Sequence, residues 1–181
     1  QLQAAEPLFA ERITHTIGLF CGHLKTRHYA DWLAWQCGIE PGSLGHIDFR
    51  TKTQGRADAY GVTARDMEDH VHTRPVCDFD GTDWGLGYFK YPACDYCDDV
   101  TGETADIAVG DAWLPRYVRR PEGTNALIVR RADLLPFFEE ARSQGRIKLE
   151  PLSADGVARS QAAGLFHRRE GLAYRLHLAE A

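Results

Sequence analysis

A C-x-x-C pair that runs into an apolar segment constrains this chain more than any other feature. The pair is Cys94 and Cys97, and it precedes the run ADIAV at 105–109 and then Gly110 and Asp111. Two thiols three positions apart can converge on one small centre, whereas a disulfide framework needs an even set of cysteines in a secreted chain. The chain has 5 cysteines, an odd number. The pattern therefore predicts a metal or redox centre beside a strand.

The bulk composition is that of an ordinary globular domain. The chain has 181 residues, of which 44% are hydrophobic and 26% are charged, so it can bury a core as one domain. Its net charge of -5 offers no broad basic surface to a phosphate backbone, so we predict no nucleic-acid partner, although a local basic pocket is compatible with it. We find no apolar run of about 20 residues and no secretion signal, so we expect no membrane span and a cytoplasmic location.

The predicted order of elements is that of an α/β fold, in which a mixed sheet is flanked by helices in a single domain. Residues 13–20 are apolar enough for a buried strand, and residues 26–37 suit an amphipathic helix that ends at Gly38. The other predicted elements are a hairpin of strands 47–53 and 57–63 that turns at 54–56, a shaped loop over 80–90, strands over 104–109, 125–130 and 147–149, and helices over 133–144 and 154–176.

The domain boundaries follow from where these elements begin. The chain starts at Gln1 rather than Met, and a short segment precedes the first predicted strand. We interpret residues 1–12 as the remnant of an N-terminal region and residues 13–181 as one domain.

The cysteine pair admits four chemical interpretations. Thiolates are the ligands of iron-sulfur clusters, and the short C-x-x-C loop lets two sulfurs reach neighbouring corners of a cluster. Structural zinc uses the same unit, but four-cysteine zinc sites usually show two such pairs. A redox dithiol normally opens a helix, and the adjacent Asp98 and Asp99 disfavour a thiolate. Two unliganded buried cysteines are the fourth alternative, and the spacing alone leaves all four open.

The remaining cysteines differ in their surroundings. Cys21 ends the first predicted strand beside Gly22, whereas Cys37 lies in the last turn of an amphipathic helix, where packing is the better explanation. Cys77 is balanced between packing and ligation. The 8 histidines show no H-x-x-x-H or H-E-x-x-H zinc pattern. The candidate metal ligands are therefore Cys21, Cys77, Cys94 and Cys97.

Five short motifs share the order and spacing of one known family. They are IGLFC at 17–21, FRTK at 49–52, FKYPACxxCD at 89–98, ADIAVGD at 105–111 and GTN at 123–125. Together they resemble the C-terminal domain of the beta subunit of coenzyme F420 hydrogenase/dehydrogenase. The resemblance covers residues from about 13 to about 149; each motif is weak alone, and their order is specific.

The resemblance implies an iron-sulfur flavoprotein. Members of this family carry FAD and at least one four-iron cluster, and relatives include ferredoxin-linked reductases of chlorophyll metabolism. The cofactors expected here are therefore a 4Fe-4S cluster and FAD, with coenzyme F420, ferredoxin or a partner redox subunit as the exchange partner. Full-length members carry an N-terminal region with a Pro-Cys motif. The fourth cluster ligand and part of the flavin pocket are thus expected outside this chain.

The resemblance also directs attention to residues that suit a flavin nucleotide. Cations in strand-end loops suit phosphate oxygens, a glycine lets backbone approach a ring, and carboxylates and amides contact hydroxyl groups. Surface charge or a plain turn is the alternative at each position, and no G-x-G-x-x-G loop supports a Rossmann mode. The candidate cofactor-binding residues are Arg50, Lys52, Lys90, Gly110, Asp111, Thr124 and Asn125.

Three hypotheses of function follow. The first is an oxidoreductase domain that passes electrons between FAD and the cluster, because a flavin links hydride chemistry to one-electron carriers. In it, Asp95, Asp98 and Asp99 add negative charge that should lower the cluster's potential. The second is a non-catalytic subunit with zinc or no metal, whose loop 81–89 serves as a docking surface. The third is thiol-disulfide exchange by Cys94 and Cys97.

Overall fold

The computed structural model of the chain describes residues 7–52 and 55–180. Its strands are β1 (Ile17–Leu19), β2 (Leu44–Thr51), β3 (Gly61–Asp66), β4 (Val71–Pro75), β5 (Ile107–Asp111) and β6 (Asn125–Val129). Its α-helices are α1 (Pro7–Arg12), α2 (His28–Gln36), α3 (Pro115–Val118), α4 (Leu135–Ser143), α5 (Ala154–Ser160), α6 (Ala162–Leu165) and α7 (Gly171–Glu180). Within those residues, every helix is too short or too polar to serve as a bilayer span.

The strands form two sheets of three strands each. In the first, β1 pairs parallel with β5, and β5 pairs antiparallel with β6, so the predicted mixed sheet and the α/β class are confirmed. The second sheet has the order β2-β3-β4 and is antiparallel throughout. The predicted hairpin is the β2-β3 pair, although residues 53 and 54 of its strand and turn lie outside the described residues. The third strand, β4, falls in a polar stretch for which the sequence predicted no element.

The larger core lies between the antiparallel sheet and α2. The helix presents Leu33 and Ala34 to the sheet residues Val62 and Ala64, and all four are buried. This contact is what an amphipathic segment followed by alternating strands predicts. The mixed sheet has a smaller core around Ala112, Tyr117 and Ala126, to which α3 contributes Tyr117.

The first strand corrects the sequence prediction. Only Ile17–Leu19 is strand within the predicted 13–20, and Ile17 and Leu19 are 70% and 73% exposed rather than buried. The physical reason is orientation, because β1 places Ile17 and Leu19 on its exposed face and Gly18 on the face that lies against Gly102 and Ala105. It is fixed at its start by Asp106, whose carboxylate accepts from the Thr16 backbone N–H at 2.8 Å and the Thr16 hydroxyl at 2.9 Å.

The C-terminal predictions are confirmed in part. Residues 147–149 are irregular rather than a strand. The helix predicted over 133–144 is α4, preceded by a 3-10 turn (Ala132–Leu134) in which Asp133 pairs with Arg131 at 2.6 Å rather than capping the helix. The helical segment predicted over 154–176 is a chain of three α-helices, α5 to α7, with one π-helical turn (Phe166–Glu170) before α7.

Candidate functional site

Three of the candidate cysteines meet where the mixed sheet ends. Cys21 follows β1, and its backbone N–H donates to Val100 O at 2.9 Å. Cys94 lies in a 3-10 turn (Pro92–Tyr96) that Cys97 ends, and the Leu24 backbone N–H donates to Cys94 Sγ at 3.4 Å. The segment after β1, residues 21–25, therefore lies directly on the C-x-x-C loop. We call this region the cysteine site.

A buried arginine joins the two segments. Arg168, in the π-helical turn, is 2% exposed. Its Nε donates to Gly22 O at 2.6 Å, its Nη1 to Cys97 O at 3.2 Å and Cys94 O at 3.4 Å, and its Nη2 to Cys21 Sγ at 3.8 Å. The guanidinium thus contacts all three cysteines, Cys21 through its sulfur and Cys94 and Cys97 through their backbone carbonyls.

The thiols are close enough to influence one another. Partial burial raises the pKa of the Cys21 thiol, Arg168 opposes that rise, and Cys94, Cys97 and Asp99 add to it. The Cys21 sulfur is therefore within electrostatic reach of the other two thiols and of Arg168. As they stand, the described residues include no group of three His, Cys, Asp or Glu side chains that could hold a metal ion.

The surroundings of the cysteine site are more basic than the sequence suggests. Asp95, between the two cysteines, pairs with Lys90 at 2.5 Å and lies 3.6 Å from Arg175. The hydrogen bond from Lys90 holds the pKa of Asp95 below its usual value. Its charge is thus already compensated, which removes Asp95 from the argument that acidic residues lower a cluster's potential.

A buried histidine borders the cysteine site. His23 is 6% exposed, its ring meets the edge of Trp84 at 4.6 Å between centroids, and its Nε2 has no hydrogen-bond partner among the described residues. Burial, with Lys25 and Lys90 nearby, lowers the pKa of His23 to about 4. The ring is therefore neutral at physiological pH.

The other two cysteines lie elsewhere. Cys37 is buried in the core of the antiparallel sheet. Cys77 is exposed in a 3-10 turn (Val76–Asp78) after β4, where its thiol contacts Asp78 Oδ1 at 3.5 Å. Among the described residues, no hydrogen bond joins Cys77 to the cysteine site, so the fold brings together three of the four predicted ligands.

Most of the predicted cofactor-binding residues form a second cluster, which we call the Arg50–Asp111 cleft. Arg50 pairs with Asp111 at 2.6 Å and lies over the rings of Tyr60 and Trp113, at 5.1 and 5.3 Å from their centroids. The cleft, which Thr124 also lines, has a volume of about 10 Å³, room for about one water. Its side chains therefore fill it.

Strand pairing explains why these residues converge. Asp111 at the end of β5 is paired with Asn125 at the start of β6, and Ala112 N–H donates to Thr124 O at 2.9 Å. Lys52 Nζ would lie 3.6 Å from a Cβ on Gly123, so it borders the same cleft. Lys90 is the exception, because it lies at the cysteine site.

One glycine links the two regions. A Cβ on Gly110 would come within 2.2 Å of the Cβ of Phe20, so only a residue without a side chain fits. Phe20 precedes Cys21, and Gly110 precedes Asp111. The cysteine site and the cleft are therefore in contact through this packing.

Sequence reasoning missed Arg168 and His23. Arg168 is part of the run FHRRE at 166–170, which looks like a solvated charged face of the predicted helix, and nothing local marks it as buried. His23, in contrast, stands two residues after Cys21, and that position was a usable signal.

The comparisons with known proteins agree with this fold. A family model that describes the C terminus of the beta subunit of coenzyme F420 hydrogenase/dehydrogenase matches residues 1–155. The chain belongs to this family. The resemblance deduced from the five motifs is thereby confirmed.

A solved structure shares the fold. It is titled a xenon derivatization of the F420-reducing NiFe hydrogenase complex from Methanosarcina barkeri, and the match has a TM-score of 0.52 at 16% sequence identity. The match covers 88% of this chain and 50% of that chain, so this chain spans about half the length of that hydrogenase chain. None of the curated proteins matches the sequence.

Proposed function

We propose that this chain is the iron-sulfur domain of an oxidoreductase, in which Cys21, Cys94 and Cys97 hold a 4Fe-4S cluster. The observation that carries the proposal is that one buried guanidinium donates to the Cys21 sulfur and, in a separate segment, to the backbone carbonyls of Cys94 and Cys97. Packing of the two cysteine segments does not by itself require a charged side chain between them, so the buried Arg168 points to a further role.

The donor set suits such a cluster. Iron-sulfur clusters are held by cysteine thiolates, and all three side chains are thiols that are exposed or half-buried rather than sealed in a core. A cluster with thiolate ligands is an anion, and Arg168, which has no carboxylate partner among the described residues, supplies nearby positive charge. The fourth ligand is proposed to come from outside the described residues, since Cys77 lies in the turn after β4 of the antiparallel sheet.

The cluster, when bound, carries one electron at a time. The residues of this chain hold and tune it. Arg168 fixes the two cysteine segments, the Lys90–Asp95 pair fixes the loop between Cys94 and Cys97, and the Phe20–Gly110 contact joins the cysteine site to the cleft.

The flavin prediction fits this chain less well. The cleft formed by Arg50, Asp111 and Thr124 holds about 10 Å³, and the Arg50 guanidinium is already engaged by a carboxylate at 2.6 Å. These residues alone do not form a pocket for FAD, and we derive no step through it. FAD stays a prediction that rests on the family.

The exchange partners are proposed from the family and its relative. The family description names coenzyme F420, and the similar chain belongs to an F420-reducing hydrogenase complex. Coenzyme F420, ferredoxin or a partner redox subunit is therefore the proposed donor or acceptor, and a cytoplasmic location remains part of the same prediction.

A second candidate function rests on the loop predicted over 81–89. Trp84, Leu86 and Tyr88 are exposed on this loop, which the side chains of Trp32 and Gln36 anchor by donating to Asp80 O at 3.0 and 3.1 Å. A rigid loop with exposed aromatic residues suits a docking surface of a non-catalytic subunit. A colourless protein that binds zinc or no metal would favour this function.

The experiment that tests the proposal is anaerobic reconstitution with ferrous iron and sulfide. The wild type should gain the broad visible absorption of an iron-sulfur cluster, which dithionite bleaches. Cys97→Ser should abolish that absorption, and Cys77→Ser, in the turn after β4, is the matched control that should keep it. An unchanged spectrum in Cys97→Ser would reject the ligand assignment.

A further inference from the structure

Among the described residues, Arg168 is the one buried cation at the cysteine site. Its hydrogen bonds go to backbone carbonyls and to a thiol, which the packing of an apolar core does not require. We infer that it is a positioning residue of the metal centre: it holds the Cys21 and Cys94–Cys97 segments together and donates an N–H to the Cys21 sulfur. This inference rests on the proposed cluster, and it assigns a role to a residue beyond the 155 that the family model matches.

The geometry of the contacts supports a positioning role. Each of the three guanidinium nitrogens donates to a different part of the site: Gly22 O, the carbonyls of Cys94 and Cys97, and Cys21 Sγ. The guanidinium is planar and presents its donors in a fixed fork. It therefore sets the separation of the two segments, which a single-point ammonium would not.

The charge balance supports a role toward an anion. No carboxylate in the described parts of the chain lies within ion-pair distance of Arg168. Its neighbour Arg169, in contrast, is paired with Glu103 on the surface. A buried cation whose acceptors are carbonyls and a thiol is costly unless an anion compensates it. Thiolates bound to iron would supply that negative charge.

The segment that carries Arg168 makes a second contact with the same loop. Arg175, in α7, donates through Nε to Asp95 O at 2.9 Å. The π-helical turn lies between α6 and α7, and such turns are frequent at functional sites because they re-aim side chains. The C-terminal helical segment thus contacts the C-x-x-C loop through both Arg168 and Arg175.

The first test uses the metal-free protein and does not depend on a cluster. In a background carrying Cys37→Ala, Cys77→Ser and Cys97→Ser, only Cys21 and Cys94 remain. Dibromobimane becomes strongly fluorescent only after it has joined two neighbouring thiols. Arg168→Gln should slow this joining severalfold, whereas Arg169→Gln, which removes the adjacent surface arginine, should not change it. Equal rates in the two variants would overturn the positioning role.

The second test uses reconstituted protein with all its cysteines. Loss of an outer partner typically costs about 10- to 100-fold in metal affinity, so Arg168→Gln should lose iron to a chelator about tenfold faster than wild type. Any cluster retained should have a lower reduction potential, because an N–H donor and a positive charge favour the reduced form. Arg168→Lys, which keeps the charge but not the fork, should restore part of the potential and less of the iron retention.

The outcomes separate this inference from the proposed function. A wild type that gains no cluster overturns the proposed function, whereas the bimane result still decides the positioning role. A wild type with a cluster, together with an Arg168→Gln variant of unchanged iron retention and potential, overturns the inference alone. If circular dichroism shows that Arg168→Gln is unfolded, Arg168→Lys replaces it in both tests. A bimane rate and an iron retention like those of the wild type in Arg168→Lys would show that the forked geometry of the guanidinium is not needed, and would overturn the inference.

Discussion

Two arginines in this molecule lie in environments of opposite character. Arg50, in the Arg50–Asp111 cleft, has a carboxylate at 2.6 Å, and both side chains of that pair are 38% exposed. Arg168 is 2% exposed, and its acceptors are three carbonyls and a thiol. The cleft is electrostatically complete as it stands, whereas the cysteine site contains a cation without an anion.

The difference indicates where this chain is prepared for a further group. A paired surface charge gains little from an additional anion, because its carboxylate already compensates it. An unpaired buried cation gains much, because charge interactions are stronger away from water. The mixed sheet thus borders two different clusters. In the Arg50–Asp111 cleft, at the end of β5, the positive charge is compensated by a carboxylate. At the cysteine site, beyond β1, the charge of Arg168 has no carboxylate partner among the described residues.

The largest expected effect is on stability at the two arginines. Arg168→Met removes several charge-assisted hydrogen bonds from a buried guanidinium to partly buried carbonyls, and we expect a loss of about 3 kcal/mol in the free energy of unfolding. Arg50→Met breaks a pair that solvent screens, and we expect about 1 kcal/mol or less. Urea unfolding of the metal-free proteins measures both, and equal losses would break the comparison.

A medium effect is expected where the two regions touch. Gly110→Ala places a Cβ within 2.2 Å of Phe20 Cβ, and relief requires movement of the backbone before Cys21. Overpacking of this kind costs about 1–3 kcal/mol. Gly22→Ala is the matched control, since a Cβ there meets nothing within 4 Å.

The same pair of glycine variants also tests the coupling between the regions. Gly110→Ala should unfold at a lower temperature than Gly22→Ala. Reconstitution with iron should also be impaired in Gly110→Ala. If Gly110→Ala unfolds at the wild-type temperature and gains iron normally, the cleft and the cysteine site are independent.

The smallest effect is a pH dependence at the start of β1. Hydrogen bonds from the Thr16 backbone and hydroxyl hold the pKa of Asp106 below its usual value. A carboxylate with a lowered folded pKa contributes stability above its unfolded pKa, of about 4, and loses it as the pH falls further. Asp106→Asn should therefore flatten the acid side of the stability profile.

A surface carboxylate supplies the control for this pH dependence. Glu139 is exposed on α4, and Glu139→Gln should leave the profile as in the wild type. Urea midpoints measured from neutral pH down to about pH 3, where Asp is protonated, give the comparison. A wild-type slope in Asp106→Asn would show that the Thr16 contact does not stabilise β1.

The sequence predicted local features well where a pattern repeats. The helix that became α2 and the strands that became β2 and β3 have apolar residues at the spacing of their own period, so they could be found without knowledge of their neighbours. The C-x-x-C pair and Cys21 were found for a related reason, since short loops at strand ends mark sites.

Features that depend on distant packing could not be predicted. Ile17 and Leu19 have the composition of a buried strand, but both lie on the exposed face of β1. Which face of a strand is covered depends on segments that are distant in the sequence. Arg168 looks like surface charge because its acceptors lie about 70 or more positions away in the chain. Cys77 and Lys90 were assigned by type, and the fold places each away from its expected group.

The most direct measurement of the central claim is anaerobic analysis of iron, acid-labile sulfide, zinc and flavin in the purified protein. Our account predicts iron and sulfide near four per chain, as a 4Fe-4S cluster requires, with zinc absent. Stoichiometric zinc, or no metal at all, would contradict it and would mean that the fold has been kept without its redox chemistry.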